Sequence, residues 1–258
     1  MFDFRIDTFN FLPASFYKKG DVILEQNQCC HHHHGHAQCV RLVPIFNHLE
    51  DHQMDMIAAS AKTLHLQKGE MLFHAGDEDN TLYIINTGKV RIYRLSDSGK
   101  DQLVRMLNPG DFTGEVAIFQ PGSVHENYAE ALQNTSICLI KQDDLQKYLI
   151  EYPQISLRIL SEVTIRLKDS EKQTTQVAIE NVESRIISFL AENVEKGSSN
   201  SPTVTLPMSK KDLASYLGTT PETISRRFSS LEQHGLIKQL PKKKIKIMDL
   251  DQLLLHAE

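Results

Sequence analysis

No apolar run in this 258-residue chain approaches the ~20 residues that a membrane-spanning helix needs. The opening stretch, MFDFRIDTFNF, alternates aromatics with acids and lacks the basic start and apolar core of a signal peptide. Cysteine is scarce: four residues in all, too few for the disulfide framework of a secreted protein. No paired carboxylates and no nucleophile–base set stand out, which argues against an enzyme. The expectation is a cytoplasmic, non-enzymatic chain with no membrane partner.

What is present is ordinary in bulk and uneven in detail. The chain is 40% hydrophobic and 24% charged, usual for a globular protein, and long enough for one large domain or two modest ones. Its net charge is −5, yet Ser201 to Lys246 holds nine Lys or Arg against three Asp or Glu, a local +6. A basic block in an acidic chain points to a polyanion, most often nucleic acid.

The residue pattern divides the chain into residues 1–46, an N-terminal extension; 47–152, a barrel; 153–180, a long helix; and 181–258, a small C-terminal domain. Between Asn47 and Ser60, Leu49, Met54, Ile57 and Ala58 fit one short amphipathic helix. From residue 61 to 141 come short alternating runs (LHL, MLF, LYII, VRIYRL, QLVRML, YAEAL, SICLI) split by turn signals such as Thr87-Gly88 and Pro109-Gly110-Asp111. Short strands at this spacing predict an antiparallel barrel or jelly roll. After Tyr152-Pro153, Ile155, Ile159, Val163, Leu167, Ser170, Thr174 and Val177 advance by fours and threes. So narrow a stripe suits a dimer seam, with packing on the chain's own barrel as the alternative. The fold class expected is α+β: a cupin-like β-barrel (jelly roll), a long dimerisation helix and a C-terminal winged helix-turn-helix.

The last part rests on local signals. Ser209-Lys-Lys-Asp212 opens a helix with a Ser cap and an acid three residues on, and that helix stops at Gly218. Thr220 caps a second helix with Pro221 at its first position, which runs PETISRRFSSLEQH and ends at Gly235. Leu236 to Leu240 and Ile245 to Met248 read as two strands of a basic wing. Glu222, Ser225 and Arg226, at i, i+3 and i+4, share the face that a recognition helix presents to the major groove. Arg226 suits guanine O6 and N7, Glu222 suits cytosine N4, and Ser225 suits a thymine or a phosphate. Lys210, Lys211, Thr220, Arg227, Lys242, Lys243 and Lys244 are candidates for the DNA backbone, which sets affinity rather than sequence.

One further stretch, NQCCHHHHGHAQC (27–39), packs three cysteines and five histidines into thirteen residues. Thiolate and imidazole together suit zinc, copper, nickel or iron. Cys29, Cys30, Cys39 and the distant Cys138 are the candidate ligands, with His34 and His36 as further ones. A solvated His-rich loop with incidental metal affinity stays open, as does a metal-storage or metal-delivery protein that is not a regulator. So does a regulatory Cys39–Cys138 disulfide without metal.

GTTPETISRRFSSLEQHGLI, with MSKKDLASYLG upstream, resembles the winged helix of the Crp/Fnr family of transcription regulators. The stretch from Leu66 through Gly114-Glu115 resembles that family's sensor barrel, down to the order of its glycines. The resemblance implies a homodimer built on the long helix through Ile155, Ile159, Val163 and Leu167. It also implies binding to palindromic double-stranded DNA and contact with RNA polymerase. Glu222, Ser225 and Arg226 match the E-x-x-S-R pattern of the Fnr branch, which reads TTGAT-type half-sites and implies anaerobic or arginine-catabolic target genes. Nucleotide-binding members carry an Arg-Ser pair where this chain has His125-Glu126, so cyclic AMP is not expected. Cys138 falls where the Fnr branch places its barrel cysteine, and Cys39 resembles the last of its N-terminal group. That branch holds an oxygen-labile iron–sulfur cluster on four thiolates. Oxygen or redox sensing through such a centre is the implied signal, with zinc or another transition metal as the alternative.

Overall fold

Alternating runs that expose one face and bury the other must find a second sheet, and here they do. The computed structural model describes residues 40–96, 99, 101–120, 122–195 and 199–256, all within one structural unit. Strands β1 (Lys62–Leu66), β8 (Thr135–Lys141), β3 (Thr81–Thr87) and β6 (Phe112–Thr113) form one antiparallel sheet in that order. Strands β2 (Met71–Phe73), β7 (Tyr128–Ala131), β4 (Val90–Leu95) and β5 (Asp101–Leu107) form the other. Between them Phe73, Ile85, Val90, Ile92, Leu107 and Ile137 make a dry core. The result is the jelly roll expected from the strand spacing.

Helix α1 (Asp51–Ser60) precedes the barrel, short α2 (Glu115–Phe119) interrupts it after β6, and α3 (Gln142–Glu151) follows β8. Gly114 begins α2 at φ 88, and a Cβ there would run into the carbonyl oxygen of Thr81. Both conditions call for glycine. A second core lies outside the sandwich. Val40, Val43, Ile45 and Phe46, assigned by sequence to the N-terminal extension, are fully buried there with Ile57, Ile84, Ile140 and Cys138. That core thus extends upstream of residue 47.

Helix α4 spans 27 residues, Pro153–Ile179, with Pro153 in its first turn. Ile155 and Ile159 belong to the same second core, at 0% and 2% exposure. This corrects the seam read from sequence: these two side chains pack on the barrel and are not available to a partner. Val163 and Leu167 do point outward, as do Leu157 and Leu160. The exposed stripe is Leu160, Val163, Leu167, Ser170, Thr174 and Val177, with the alternating three-and-four spacing of a coiled coil.

Helix α5 (Val182–Glu192) leads to a separate core holding β9 (Thr203–Thr205), α6 (Lys210–Tyr216), α7 (Pro221–Gln233), β10 (Ile237–Leu240), β11 (Lys244–Ile247) and α8 (Leu250–Leu255). The three strands pair antiparallel in the order β10-β11-β9. Ile159→Ala should lower the unfolding free energy by about 2–5 kcal/mol in urea titration, as for a buried aliphatic truncation. A change no larger than about 0.5 kcal/mol, typical of a surface site, would return Ile159 to the outer face of the helix.

Candidate nucleic-acid interface

Local chemistry sets the pitch of α7. The Thr220 hydroxyl accepts from the Thr223 amide at 3.2 Å, and Pro221 occupies the first turn. Ile224, Phe228 and Leu231 are fully buried and fix the rotation of the helix. Glu222, Ser225 and Arg226 are consequently exposed together at its N-terminal end. The Glu222 carboxyl lies below the usual range because its own amide and the Thr220 hydroxyl hydrogen-bond to it. It is therefore an ionised acceptor at neutral pH. Arg226 rests a guanidinium 3.5 Å from the Thr223 hydroxyl.

The basic side chains divide. Lys242, Lys243 and Lys244 are exposed at the wing tip. Lys242 and Lys243 both adopt φ 59, a left-handed conformation that costs roughly 1–2 kcal/mol per non-glycine residue. The β10–β11 pairing and the Leu206 amide, which donates to the Lys243 carbonyl at 2.9 Å, hold the tip there. Lys210 instead donates to Gln239 Oε1 at 2.6 Å and sits 5.1 Å from the Phe228 ring centroid, tying α6 to the wing. Lys211 lies 4.0 Å from Asp101 on β5, facing the barrel. Arg227 is half-exposed and 3.3 Å from Glu183.

A cavity of about 480 Å³ opens in the barrel, lined among others by Phe73, Asp79, Arg105, Glu115, His125 and Glu126. His125 stacks on Phe73 with ring centroids 3.7 Å apart, and its Nε2 lies 3.4 Å from Asp79. Burial pushes the Asp79 carboxyl up, but hydrogen bonds from His125 and Tyr83 outweigh it and hold the group ionised. Glu115 lies 2.7 Å from Arg166 of α4 and 3.3 Å from Arg105. Burial raises the Glu115 carboxyl, and the two arginines more than reverse that. Glu126 pairs with Arg94. The sequence singles out Gly114-Glu115 but not Arg105 or Arg166, which lie far apart in the chain.

Cys138 is 1% exposed, in register with Thr63 on one side and Ile84 on the other. Its sulfur is engaged in a disulfide. Cys29, Cys30, Cys39, His34 and His36 lie outside the described residues. Among the described residues no group of three or more His, Cys, Asp or Glu is placed to hold a metal ion, and no helix is long and apolar enough to cross a membrane.

A jelly-roll barrel, a long helix and a capped helix-turn-helix with a basic wing define a DNA-binding regulator with an attached sensor domain. Residues 63–152 match the model of the cyclic nucleotide-binding domain, and residues 184–255 match the Crp-like helix-turn-helix domain. The chain is 32% identical over 215 residues to a "Probable transcriptional regulator flp" of Lacticaseibacillus casei, covering 83% of this chain and 96% of that protein. It is also 32% identical over 212 residues to the "Anaerobic regulatory protein" of Haemophilus influenzae, covering 81% and 80%. Among solved structures, FixK2 from Bradyrhizobium japonicum superposes with a TM-score of 0.64 at 26% identity, over 77% of this chain and 97% of that one. The chain belongs to the Crp/Fnr family: it is a DNA-binding transcription regulator with anaerobic regulators among its relatives, and not an enzyme.

Proposed function

We propose that the protein is a cytoplasmic homodimer that binds a TTGAT-type palindrome through Glu222, Ser225 and Arg226. We propose further that the thiol–disulfide state of Cys138 controls it. The target genes in this reading serve anaerobic or arginine-catabolic metabolism, in keeping with relatives named as anaerobic regulatory proteins. As in other Crp/Fnr regulators, DNA is bound as a dimer that contacts RNA polymerase. The second copy covers the exposed stripe of α4 from Leu160 to Val177.

Disulfide-bonded Cys138 carries the choice of signal. An all-cysteine iron–sulfur cluster needs four thiolates, and the chain has four cysteines. A disulfide consumes two of them, so this state and such a cluster exclude each other. The disulfide reading therefore belongs to the oxidised chain, and a cluster on four thiolates to the reduced one. The proposed partner is Cys39, which adjoins Val40, a residue buried in the same core as Cys138. Closing the bond removes two protons and two electrons from the two thiols, so an oxidant closes it and a reductant reopens it. Val40 to Phe46 share that core with Ile155 and Ile159, so redox chemistry there acts where α4 is seated. Metal sensing through Cys29, Cys30, His34 and His36 is the second reading, favoured by the density of ligands in 27–39. Cyclic AMP is not the signal: His125 and Glu126 replace the Arg-Ser pair, and Glu115 is taken up by two arginines.

In mobility-shift titrations, Arg226→Ala should lose roughly 1–3 kcal/mol of discrimination at the guanine. Lys243→Ala should weaken operator and random DNA alike and flatten the salt dependence. Equal loss on both DNAs for Arg226→Ala sinks the assignment of that side chain to a base. Leu160→Glu with Leu167→Glu should sediment as a monomer at low concentration, since burying unpaired charge at the seam costs several kcal/mol; a persistent dimer moves the interface elsewhere. Cys138→Ser should abolish the difference in DNA affinity between diamide-treated and dithiothreitol-treated protein. If the variant still responds to both reagents and a chelator changes its binding, the metal reading replaces the disulfide.

A further inference from the structure

The last carbonyls of a helix have no partners within it. At the end of α6, the first helix of the helix-turn-helix, three carbonyls in a row are each met by a side chain from a different element, and the Ser215 carbonyl also accepts from the Gly218 amide at 3.3 Å. The Gln102 amide of β5 donates to the Ser215 carbonyl at 2.5 Å. The Gln173 amide of α4 donates to the Tyr216 carbonyl at 2.8 Å. Buried Arg185 of α5 donates to the Leu217 carbonyl at 2.5 Å. Ser215 returns the contact: its hydroxyl accepts from the Leu103 amide at 2.5 Å and donates to the Asp101 carbonyl at 2.8 Å.

β5 is an edge strand, and an edge leaves backbone groups in need of cover. Ser215 covers two of them as a neighbouring strand would. Beside it Arg91, on β4, lies 2.7 Å from Glu130, 3.3 Å from Asp101 and 3.5 Å from Asp212 of α6. Leu103 completes the contact by packing into the winged-helix core rather than the barrel core. One turn of helix is thus held by the barrel, the long helix α4 and α5 together.

We infer that Gln102, Gln173 and Arg185 are positioning residues for DNA recognition: by capping the Ser215, Tyr216 and Leu217 carbonyls they set the angle of the helix-turn-helix to the barrel and to α4. The consequence for operators rests on the TTGAT-palindrome reading above. In a dimer the angle of each unit determines the separation of the two recognition helices, and so the half-site spacing that is bound.

Gln102→Glu and Gln173→Glu keep shape but remove the N–H donor, and Gln102 is exposed enough that folding is not at stake. Two measurements test the inference on the full chain. In hydrogen exchange, the Leu103 amide should exchange faster in Gln102→Glu, while the amide of Phe228, inside the winged-helix core, should not change. On duplexes carrying inverted TTGAT half-sites with a series of spacer lengths, both variants should lose about fivefold of the preference for the best spacer, the scale of one hydrogen bond. Their affinity for random duplex should stay as it was. Unchanged Leu103 protection overturns the inference. So does lost protection with an intact spacer preference, because the junction would then be a passive contact. A wild-type chain that does not distinguish these duplexes from scrambled DNA defeats the operator reading instead, and the exchange comparison then decides the junction alone.

Discussion

Burial of Ile155 and Ile159 in the barrel's second core governs most of what the molecule can do. It fixes where a 27-residue helix leaves the sensor, and a helix of that length is about 40 Å long. A small change in seating at one end becomes a large displacement at the other. The same core contains Cys138 and the segment from Val40 to Phe46. A buried sulfur and the base of the long helix thus share one close-packed core, which does not yield gradually when its contents change shape.

Two further links make the helix a lever rather than a spacer. Arg166 reaches back to Glu115 and donates to the Phe112 carbonyl at 2.9 Å, with its guanidinium 4.1 Å from the Phe112 ring centroid. That joins the middle of α4 to the wall of the barrel cavity. Near the far end, Gln173 and Val177 meet the helix-turn-helix at Tyr216 and Gly218. The cavity, the second core and the recognition unit therefore all bear on one rigid element. The retained acid at Glu115, locked between arginines, acts in this arrangement as a structural strut.

Much of this was legible in the residues. Strand spacing and turn glycines foretold the jelly roll, and Ser209, Thr220, Pro221 and Gly235 foretold the helix-turn-helix, because caps and turns are local signals. The split of the α4 stripe was not legible. Ile155, Ile159, Val163 and Leu167 continue one another by fours, and periodicity cannot say whether a face meets its own barrel or a second copy. The contacts of Lys210 and Lys211 within the chain were not legible either, for a related reason. Their charge is visible in sequence, but their partners, Gln239 and Asp101, are 29 and 110 positions away. The capping of α6 by Gln102, Gln173 and Arg185 left no trace at all, since glutamine on a strand or helix surface looks like any solvated residue.

Charge distribution adds a constraint that contacts alone do not show. With +6 between Ser201 and Lys246 and −5 overall, the remaining residues carry −11. A phosphate backbone attracts the first and repels the second, over a range set by the salt concentration. A duplex therefore attracts the segment that carries the wing and recognition helix and repels the rest of the chain, which favours one docking orientation before any base is read. Some of the barrel's acid also serves the junction, where Asp101 and Glu130, with Asp212 of α6, surround Arg91. Arg91 offsets one of these three negative charges and Lys211 lies 4.0 Å from Asp101, so ion pairs hold the barrel against α6 while the cluster keeps a net negative charge. Arg91 of the acidic barrel and Asp212 of the basic unit each carry the sign opposite to their own half, and their pairing helps join the two.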